Sequence, residues 1–357
     1  MSTSQYARSG VDTEEADRAL SRLLLEISPT QAFGAPSQLG VGHFAALIRL
    51  GPVQLALTTD GVGTKLLVAQ LTQRYDTVGI DCVGMNVNDL ICVGATPAAM
   101  LDYIAIETAD PEIFAQIGRG LAEGAKLAQV SIVGGETAQI PEMLRGATAG
   151  TGLDLVGMAV GVVHEGDFVD GSEVQPGDAV IGIESNGLHS NGYTLARQTL
   201  IPRFPLDSYV PELDKTLADE LLRPVRIYVP QVRALREAGI QPRAISHITG
   251  DGLLNLRRVE APVGFELTHL PEPEPIFQLI EQVGRISRSE MRTVFNMGIG
   301  LTLVVAETEV EHTLNTLRAT GTSAWRIGRT VTDPERRVRI LPEGLVGHSK
   351  EFIAETS

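Results

Sequence analysis

The first half of the chain alternates between short apolar strands and amphipathic helices. Residues 53–59 alternate apolar and polar positions and end at Asp60, which predicts a strand that runs into a loop. Similar apolar segments follow, separated by segments with helical spacing. The further predicted strands are 99–106, 130–135 and 153–163, and the predicted helices are 111–128 and one that starts at an Asp81 cap and is stopped by Pro97. This half is therefore predicted to be rich in strands.

The second half repeats one scheme of strand, polar glycine loop and helix. The scheme appears first in DAVIGIESNGLHSNGYTLARQTL and again in AISHITGDGLLNLRRV, while FNMGIGLTLVVA runs from a loop into a strand. Helices around 277–283 and 309–319 complete the pattern. Alternating strands and helices of this kind indicate an α/β fold.

A shift in composition divides the two halves. The segment EGDFVDGSEVQPGD is rich in glycine and aspartate and predicts a domain boundary. We predict an N-terminal strand-rich domain of residues 1–168, a C-terminal α/β domain of residues 169–345, and a tail of residues 346–357. An exposed sheet edge in the N-terminal domain would need a partner, so we also expect a homodimer built through the N-terminal domains.

Composition and charge exclude several classes of protein. The chain has 357 residues, 43% of them hydrophobic, and a net charge of -15, which argues against a nucleic-acid surface. No apolar run reaches the ~18 residues of a membrane span, and the acidic N-terminus lacks the apolar core of a signal peptide. Cys82 and Cys92 match no zinc spacing and are too few for a disulfide framework. We therefore expect a cytoplasmic protein with no membrane partner.

The stretch TTDGVGTKLL combines features of a phosphate-binding loop with an aspartate that could bind a cation. Its glycines and Lys65 resemble a phosphate-binding loop, but the spacing is not that of a Walker motif, so the alternative is a simple turn between strand and helix. Asp60 directly precedes the glycines and would repel a phosphate unless a cation lay between them. Mg²⁺ is held in this way, by one or two carboxylates together with phosphate oxygens and waters.

Four further acids occupy apolar segments: Asp81, Asp89, Asp102 and Glu136. Asp89 is the most informative, because it lies on an otherwise apolar helix face and burying an unpaired carboxylate is costly. Either a buried arginine or lysine pairs with it, or a metal holds it. Asp102 and Glu136 could be solvated caps, and Asp81 is interpreted as a helix cap rather than a ligand. The cysteines are interpreted as small core residues.

The segment HSNGY precedes a predicted helix. His189 could be an ordinary loop histidine, but Ser190, Asn191 and Gly192 in front of a helix N-terminus also suggest an anion or substrate loop. Both interpretations stay open from the residues alone.

These motifs occur together in one order. DGVGTK, VNDL followed by GATP, LDY, GGETA, HSNGY, TGDG with Asn255, and FNMGIG follow one another, and YARSGVD opens the series. The series resembles the phosphoribosylformylglycinamidine cyclo-ligase family, also called aminoimidazole ribonucleotide synthetases, from about Tyr6 to Ile340. Seven motifs in order are far more specific than any one of them.

The resemblance implies an ATP- and Mg²⁺-dependent ring closure in purine synthesis, with a ribonucleotide as the small-molecule substrate. The formamide oxygen of formylglycinamidine ribonucleotide would take the γ-phosphoryl group, and the ribosyl-bearing nitrogen would then displace phosphate from the formyl carbon. Positioning and charge neutralisation are the usual demands of such phosphoryl transfer.

The resemblance also implies roles for individual residues. Those placed in catalysis are His189, Asp60 and Lys65; on ATP, Gly61, Val62, Gly63, Thr64, Lys65 and Asp251; on the substrate, His189, Ser190, Asn191, Gly192 and Asn296; and on Mg²⁺, Asp60, Asp89, Asp102 and Glu136.

The sequence departs from the family pattern at two places, and both concern the nucleotide side. TGDG stands where the family reads TGGG, and Asp251 is similar to the metal-proximal acid of thiamine-monophosphate kinases. Residues 40–44, GVGHF, replace a more glycine-rich loop. The alternatives are therefore a kinase-like phosphoryl transferase of the same superfamily and a non-catalytic binding relative. A thiamine-monophosphate kinase would read closer to DDAAV at DGVGTK, and a non-catalytic relative would have lost the acids.

Overall fold

The structure, a computed structural model, describes residues 4–10, 13–40 and 42–355. The predicted opening motif YARSGVD and loop GVGHF include Val11, Asp12 and Val41, which lie outside the described residues. In the N-terminal half the helices are α1 Gln5–Arg8, α2 Thr13–Ile27, α3 Leu66–Thr72, α4 Val78–Cys92 and α5 Pro111–Ala128, and the strands are β1 Ala46–Leu50, β2 Val53–Gly61, β3 Thr96–Ile106, β4 Ser131–Gln139 and β5 Leu153–Val163.

The N-terminal sheet has the strand order β1-β2-β5-β3-β4. Its neighbouring strands are antiparallel except β3 and β4, which run parallel because α5 connects them. Helix α4 packs against this sheet and α5 packs against α4. The two helices approach closely at Gly79, where an added Cβ would lie 2.3 Å from the backbone nitrogen of Leu121. Nearly every residue of α4 is buried, so this helix forms the centre of the molecule.

The C-terminal half builds a larger sheet. Its helices are α6 Tyr193–Leu200, α7 Leu217–Leu221, α8 Val229–Glu237, α9 Pro275–Gly284, α10 Arg288–Val294 and α11 Val310–Ala319, and its strands are β6 Ala179–Glu184, β7 Tyr209–Val210, β8 Lys215–Thr216, β9 Ala244–His247, β10 Val263–Leu267, β11 Ile299–Val305, β12 Ala324–Thr332, β13 Val338–Ile340, β14 Leu345–His348 and β15 Glu351–Ala354. Eight strands pair in the order β15-β14-β13-β10-β12-β6-β11-β9, and β7 pairs with β8 alone. Within the described residues, no helix is both long and apolar enough to cross a bilayer.

The predicted mixed α/β class with two domains is confirmed. Helix α5 and strand β5 have the predicted bounds. Helix α4 begins earlier, at Val78, and its N-cap is Thr77, so the interpretation of Asp81 as a cap is wrong. Within the segment 346–355 of the predicted tail, the chain forms most of β14 and all of β15, which extend the C-terminal sheet, whereas residues 356–357 lie outside the description.

Candidate functional site

The end of strand β2 is fixed against helix α4 by a side-chain amide. Asn86 accepts a hydrogen bond from the backbone N–H of Asp60 at 3.0 Å and donates to the backbone oxygen of the same residue at 3.1 Å. The Asn86 side chain thus makes the pair of hydrogen bonds that a neighbouring strand would make, because it satisfies both the backbone N–H and the backbone C=O of Asp60. Asp60 is thereby held beside the C-terminal half of α4, which also carries Asp89.

Asp89 is hydrogen-bonded to a histidine from the other half of the chain. The Nδ1 of His247, at the end of β9, lies 2.9 Å from Oδ1 of Asp89, and the histidine side chain is fully buried. The amide nitrogen of Asn88 lies 3.5 Å from Nε2 of the same ring. An amide nitrogen only donates, so in this contact Nε2 is the acceptor and Nδ1 is the atom that donates to Asp89. Of the two alternatives left open for Asp89, a buried arginine or lysine is not its partner among the described residues; the imidazole of His247 contacts it instead.

Asp60 and Asp89 form an acidic pair with little compensation. Burial, together with the nearby charge of Asp89, raises the pKa of Asp60 to about 6. A cation bound beside the two carboxylates would favour their ionised forms and offset the repulsion between them. The pair and its surroundings suit a Mg²⁺ ion that takes one or two protein carboxylates and completes its shell with phosphate oxygens and water.

The other two predicted metal ligands are placed differently. The register aligns Asp60, Gly157, Asp102 and Gly135 across the sheet, so Asp102 shares the α4-facing side with Asp60 but lies two strands away. Glu136 follows Gly135 and therefore points to the opposite face. Among the described residues, no group of three or more histidine, cysteine or acidic side chains is close enough to hold a metal. The four acids do not form one site, and Glu136 is outside the acidic pair.

The glycine loop offers only part of the predicted phosphate contacts. The N–H of Gly61 donates to Asp60 Oδ1 at 2.7 Å, and the N–H of Val62, whose side chain is fully buried, donates to the oxygen of Leu155 at 3.0 Å. Gly63 and Thr64 are exposed, and Gly63 has a φ of 72° that favours glycine. Only these last two residues are free to contact a phosphate in this conformation.

Lys65 does not reach the open loop. Its side chain is fully buried, and its ammonium contacts both carboxylate oxygens of Asp81, at 2.9 and 2.8 Å. The expectation that Lys65 binds phosphate therefore needs a correction, since the ammonium is enclosed and already paired. The same contact shows what Asp81 does: it is the counter-ion of a buried lysine.

The HSNGY loop contains polar groups without partners. Ser190 Oγ, Asn191 Oδ1 and His189 Nδ1 are buried and make no hydrogen bond within the described residues. Burial, reinforced by the nearby His247, keeps the pKa of His189 well below its usual value, so the ring is neutral. Gly192 leads into α6 with a φ of 74°, and an added Cβ would lie 2.3 Å from the ring of Phe295. Such orphaned atoms ahead of a helix are what a substrate loop requires.

Asn296 and Asp251, which the resemblance places on the substrate and on ATP, both have partners within the protein. The side chain of Asn296 accepts from Ser185 Oγ at 3.0 Å and from the N–H of Gly298 at 2.9 Å, and donates to the oxygen of Gly187 at 3.0 Å. These bonds use its amide oxygen and one of its two amide hydrogens to shape the 185–187 turn. Asp251 is half exposed and lies 3.7 Å from Arg258, which offsets its charge.

Sequence reasoning missed the residues that join the two halves. His247, Asn88 and Arg223 come from distant segments, and Asn88 accepts from the N–H of Tyr228 at 2.9 Å while donating to the oxygen of Arg226 at 2.8 Å. A signal existed for His247, which ends a strand one residue before the TGDG motif, much as Asp60 lies near the end of a strand before its own glycine loop.

Comparison with known proteins covers both halves of the chain. The family described as AIR synthase related protein, N-terminal domain, matches residues 42–163, and its C-terminal domain counterpart matches residues 175–340. A phosphoribosylformylglycinamidine cyclo-ligase of Methanothermobacter thermautotrophicus is 45% identical, over 94% of this chain and 96% of its own length. One of Thermococcus kodakarensis is 46% identical, over 93% and 97% respectively.

Among solved structures, AaThiL complexed with AMPPCP and TMP has a TM-score of 0.61 at 15% identity and covers 89% of this chain and 92% of its own. That likeness shows the fold alone. The identity to the cyclo-ligases, by contrast, extends over both domains and confirms the predicted family. The chain belongs to the phosphoribosylformylglycinamidine cyclo-ligase family.

Proposed function

We propose that this protein closes the imidazole ring of aminoimidazole ribonucleotide. It would use ATP to cyclise formylglycinamidine ribonucleotide, releasing ADP and phosphate, in purine biosynthesis. The observation that carries the proposal is the similarity to curated cyclo-ligases over nearly the whole chain. The kinase-like alternative rests on fold likeness at 15% identity and is not favoured.

The reaction has two steps. The formamide oxygen attacks the γ-phosphorus of ATP, a new P–O bond forms, and the bond to ADP breaks. The ribosyl-bearing nitrogen then attacks the formyl carbon, the C–O bond breaks with phosphate as the leaving group, and the nitrogen loses its proton. The protein has to align the two substrates and offset charge, as phosphoryl transfer generally requires.

The geometry supports a division of roles in the site. Asp60 and Asp89 would hold Mg²⁺, which neutralises charge on the transferring phosphates, and Asp102, on the same side of the sheet, is a more distant candidate. Gly63 and Thr64 are exposed and suit phosphate contacts. The structure of AaThiL with AMPPCP is consistent with nucleotide binding by this fold.

The loop on the C-terminal side would hold the ribonucleotide. Ser190 and Asn191 carry unpartnered buried oxygen atoms, and Thr64 Oγ1 lies 3.0 Å from Thr194 Oγ1 in the helix that follows them. The nucleotide loop and the ribonucleotide loop therefore adjoin. His189 would act there as a neutral hydrogen-bonding group, because its burial disfavours the cation.

We further propose a homodimer formed through the N-terminal sheet, in a protein of the cytoplasm. The sheet face opposite α4 carries Leu101, Tyr103 and Met158, which share one side by register and are 40, 39 and 38% exposed. Exposed apolar side chains grouped on one face suit an interaction site, and a second copy would cover them symmetrically. Light scattering of the wild type and of Leu101→Asp is the test: a dimer that the variant converts to monomer supports it, whereas a monomeric wild type overturns it.

The function is tested by measuring ADP and phosphate with formylglycinamidine ribonucleotide, ATP and Mg²⁺. The proposal predicts equal amounts of both products and no turnover when any component is omitted. Thiamine monophosphate is the matched alternative acceptor, because a kinase would form ADP without releasing phosphate. ADP formation with thiamine monophosphate only, or no turnover with either acceptor, would contradict the proposal.

A further inference from the structure

A lysine and an aspartate form an ion pair inside the molecule, between the two domains. Lys65 ends the short 3-10 helix Gly63–Lys65 that follows strand β2, and Asp81 lies in the first turn of α4. Both side chains are 0% exposed. Apart from their contact with each other, the two side chains make hydrogen bonds to the C-terminal half.

The ammonium of Lys65 bridges two backbone carbonyls of that half. Besides Asp81, its Nζ donates to the oxygen of His189 at 3.3 Å and to the oxygen of Arg223 at 2.5 Å. It also lies 5.5 Å from the ring centre of Tyr193. An ammonium has three donors, so these contacts use its full capacity.

Asp81 anchors the same region from the other side. Its Oδ1 accepts a hydrogen bond from the N–H of Val225 at 2.7 Å. The guanidinium of Arg223 in turn donates to Asn186 Oδ1 at 3.2 and 2.7 Å, and the side chain of Asn186 donates to the oxygen of Pro224 at 2.7 Å. The pair therefore holds both ends of the 186–189 turn, which leads directly into the polar loop.

Stability alone does not account for this arrangement. Burial lowers the pKa of Lys65 and raises the pKa of Asp81, and the contact between the two groups opposes both shifts. Replacing a buried ion pair by apolar residues of similar volume is often neutral or stabilising. What apolar residues would not supply is the bond from one ammonium to the carbonyls of His189 and Arg223, which fixes where the loop lies.

We infer that Lys65 and Asp81 are a positioning pair that sets the spacing between the exposed Gly63–Thr64 segment and the Ser190–Asn191 loop. The inference rests on the proposed function, in which these two segments hold ATP and the ribonucleotide. A loop displaced by about 1 Å costs roughly a hundredfold in rate when two substrates have to be aligned. Lys65 thus acts through the loops, without touching phosphate.

The test is the double variant Lys65→Met/Asp81→Leu, which removes both charges together, so that no buried charge is left without its counter-ion. We expect it to fold with a lower melting temperature than the wild type, because the carbonyls of His189 and Arg223 and the N–H of Val225 lose their partners, and to bind Mg·ADP within about threefold of wild type. Its kcat should fall by about a hundredfold, and amides of residues 186–192 should exchange hydrogen faster. The matched control is Arg74→Met, which breaks an interdomain ion pair that is about half exposed and should change none of these.

Two results would overturn the inference. Wild-type kcat with unchanged loop exchange in the double variant would make the pair merely structural. A loss of Mg·ADP affinity above tenfold with unchanged loop exchange would make Lys65 a phosphate ligand. If the wild type itself has no cyclo-ligase turnover, the proposed function fails, while hydrogen exchange of the 186–192 loop still decides whether the pair positions it.

Discussion

Helix α4 carries two aspartates in opposite surroundings. Asp81 is sealed from solvent and meets the ammonium of Lys65. Asp89, about two helical turns further on, keeps 15% of its side chain exposed, and its partner among the described residues is the imidazole of His247. Asp81 is enclosed and its charge is balanced by Lys65. Asp89 is partly exposed and lies near a second carboxylate, that of Asp60. A carboxylate in an apolar helix can therefore pair with a buried lysine and join two domains, or it can lie beside a second acid in a place suited to a cation. The residues that face it decide which.

Removing the charge of the buried Asp81 has the largest expected effect on the free energy of unfolding. Asp81→Asn strands the Lys65 ammonium in the interior, and breaking a buried pair in this way costs about 3–5 kcal/mol. We expect the free energy of unfolding, measured by urea denaturation, to fall by that amount. A variant as stable as the wild type would show that the ion pair is not what holds the lysine.

The same substitution at Asp89 should have the opposite signature. Asp89→Asn keeps an oxygen that can accept the hydrogen bond of His247, but it removes charge from the proposed Mg²⁺ site. We expect turnover to fall at least about a hundredfold, or roughly 2.7 kcal/mol, while the melting temperature holds or rises. Asp81→Asn is the matched control on the same helix, and a destabilised but active Asp89→Asn protein would contradict the metal assignment.

Asp60 should make the stability of the ligand-free protein depend on pH. Its folded pKa of about 6 lies above the ordinary carboxyl value, so the folded state favours the protonated form. Stability from this group is present below about pH 4 and is lost as the pH rises through about 6. Asp60→Asn should therefore be more stable than the wild type at about pH 7.5, by at most roughly 3 kcal/mol, and the difference should shrink towards about pH 4.5. Thermal melts at both pH values check this, and a constant difference would count against it.

An exposed ion pair across the same domain boundary should matter least. Arg74 and Asp219 lie 2.7 Å apart with about half of each side chain exposed. Because such pairs contribute about 0–1 kcal/mol, Arg74→Met should hardly change the unfolding free energy. A loss as large as that of Asp81→Asn would show that position at the boundary, rather than burial, decides the effect.

Local patterns predicted much of the fold. Helix α5 has apolar residues at helical spacing, an Asp110 N-cap and a proline at its first position, all of which indicate a helix from sequence. In β5, buried and less buried positions alternate along the strand. Helix α4 was harder, because nearly all of it is buried and its two acids look alike in the sequence. Nothing in the helix itself tells which acid faces a lysine.

The sequence indicates candidate site residues but not which residues they contact. Asp89 and His247 are 158 positions apart, so only the folded chain shows that they meet. Lys65 and Asn296 show a related difficulty: glycine-rich loops indicate a binding region, but the sequence does not tell which of their side chains hold the loop in place, as the buried ammonium of Lys65 does. The glycine at 63 and the oxygens of the HSNGY loop remain predicted ligand contacts.

The most direct measurement of the proposed metal site is a Mg²⁺ titration of phosphate release, with saturating ATP and formylglycinamidine ribonucleotide. It compares wild type with Asp89→Asn at free Mg²⁺ concentrations high enough to saturate both. If Asp60 and Asp89 hold the ion, the half-saturating Mg²⁺ concentration of the variant should rise at least about tenfold, a loss of roughly 1.4 kcal/mol of binding. An unchanged Mg²⁺ dependence in a folded variant would contradict the account.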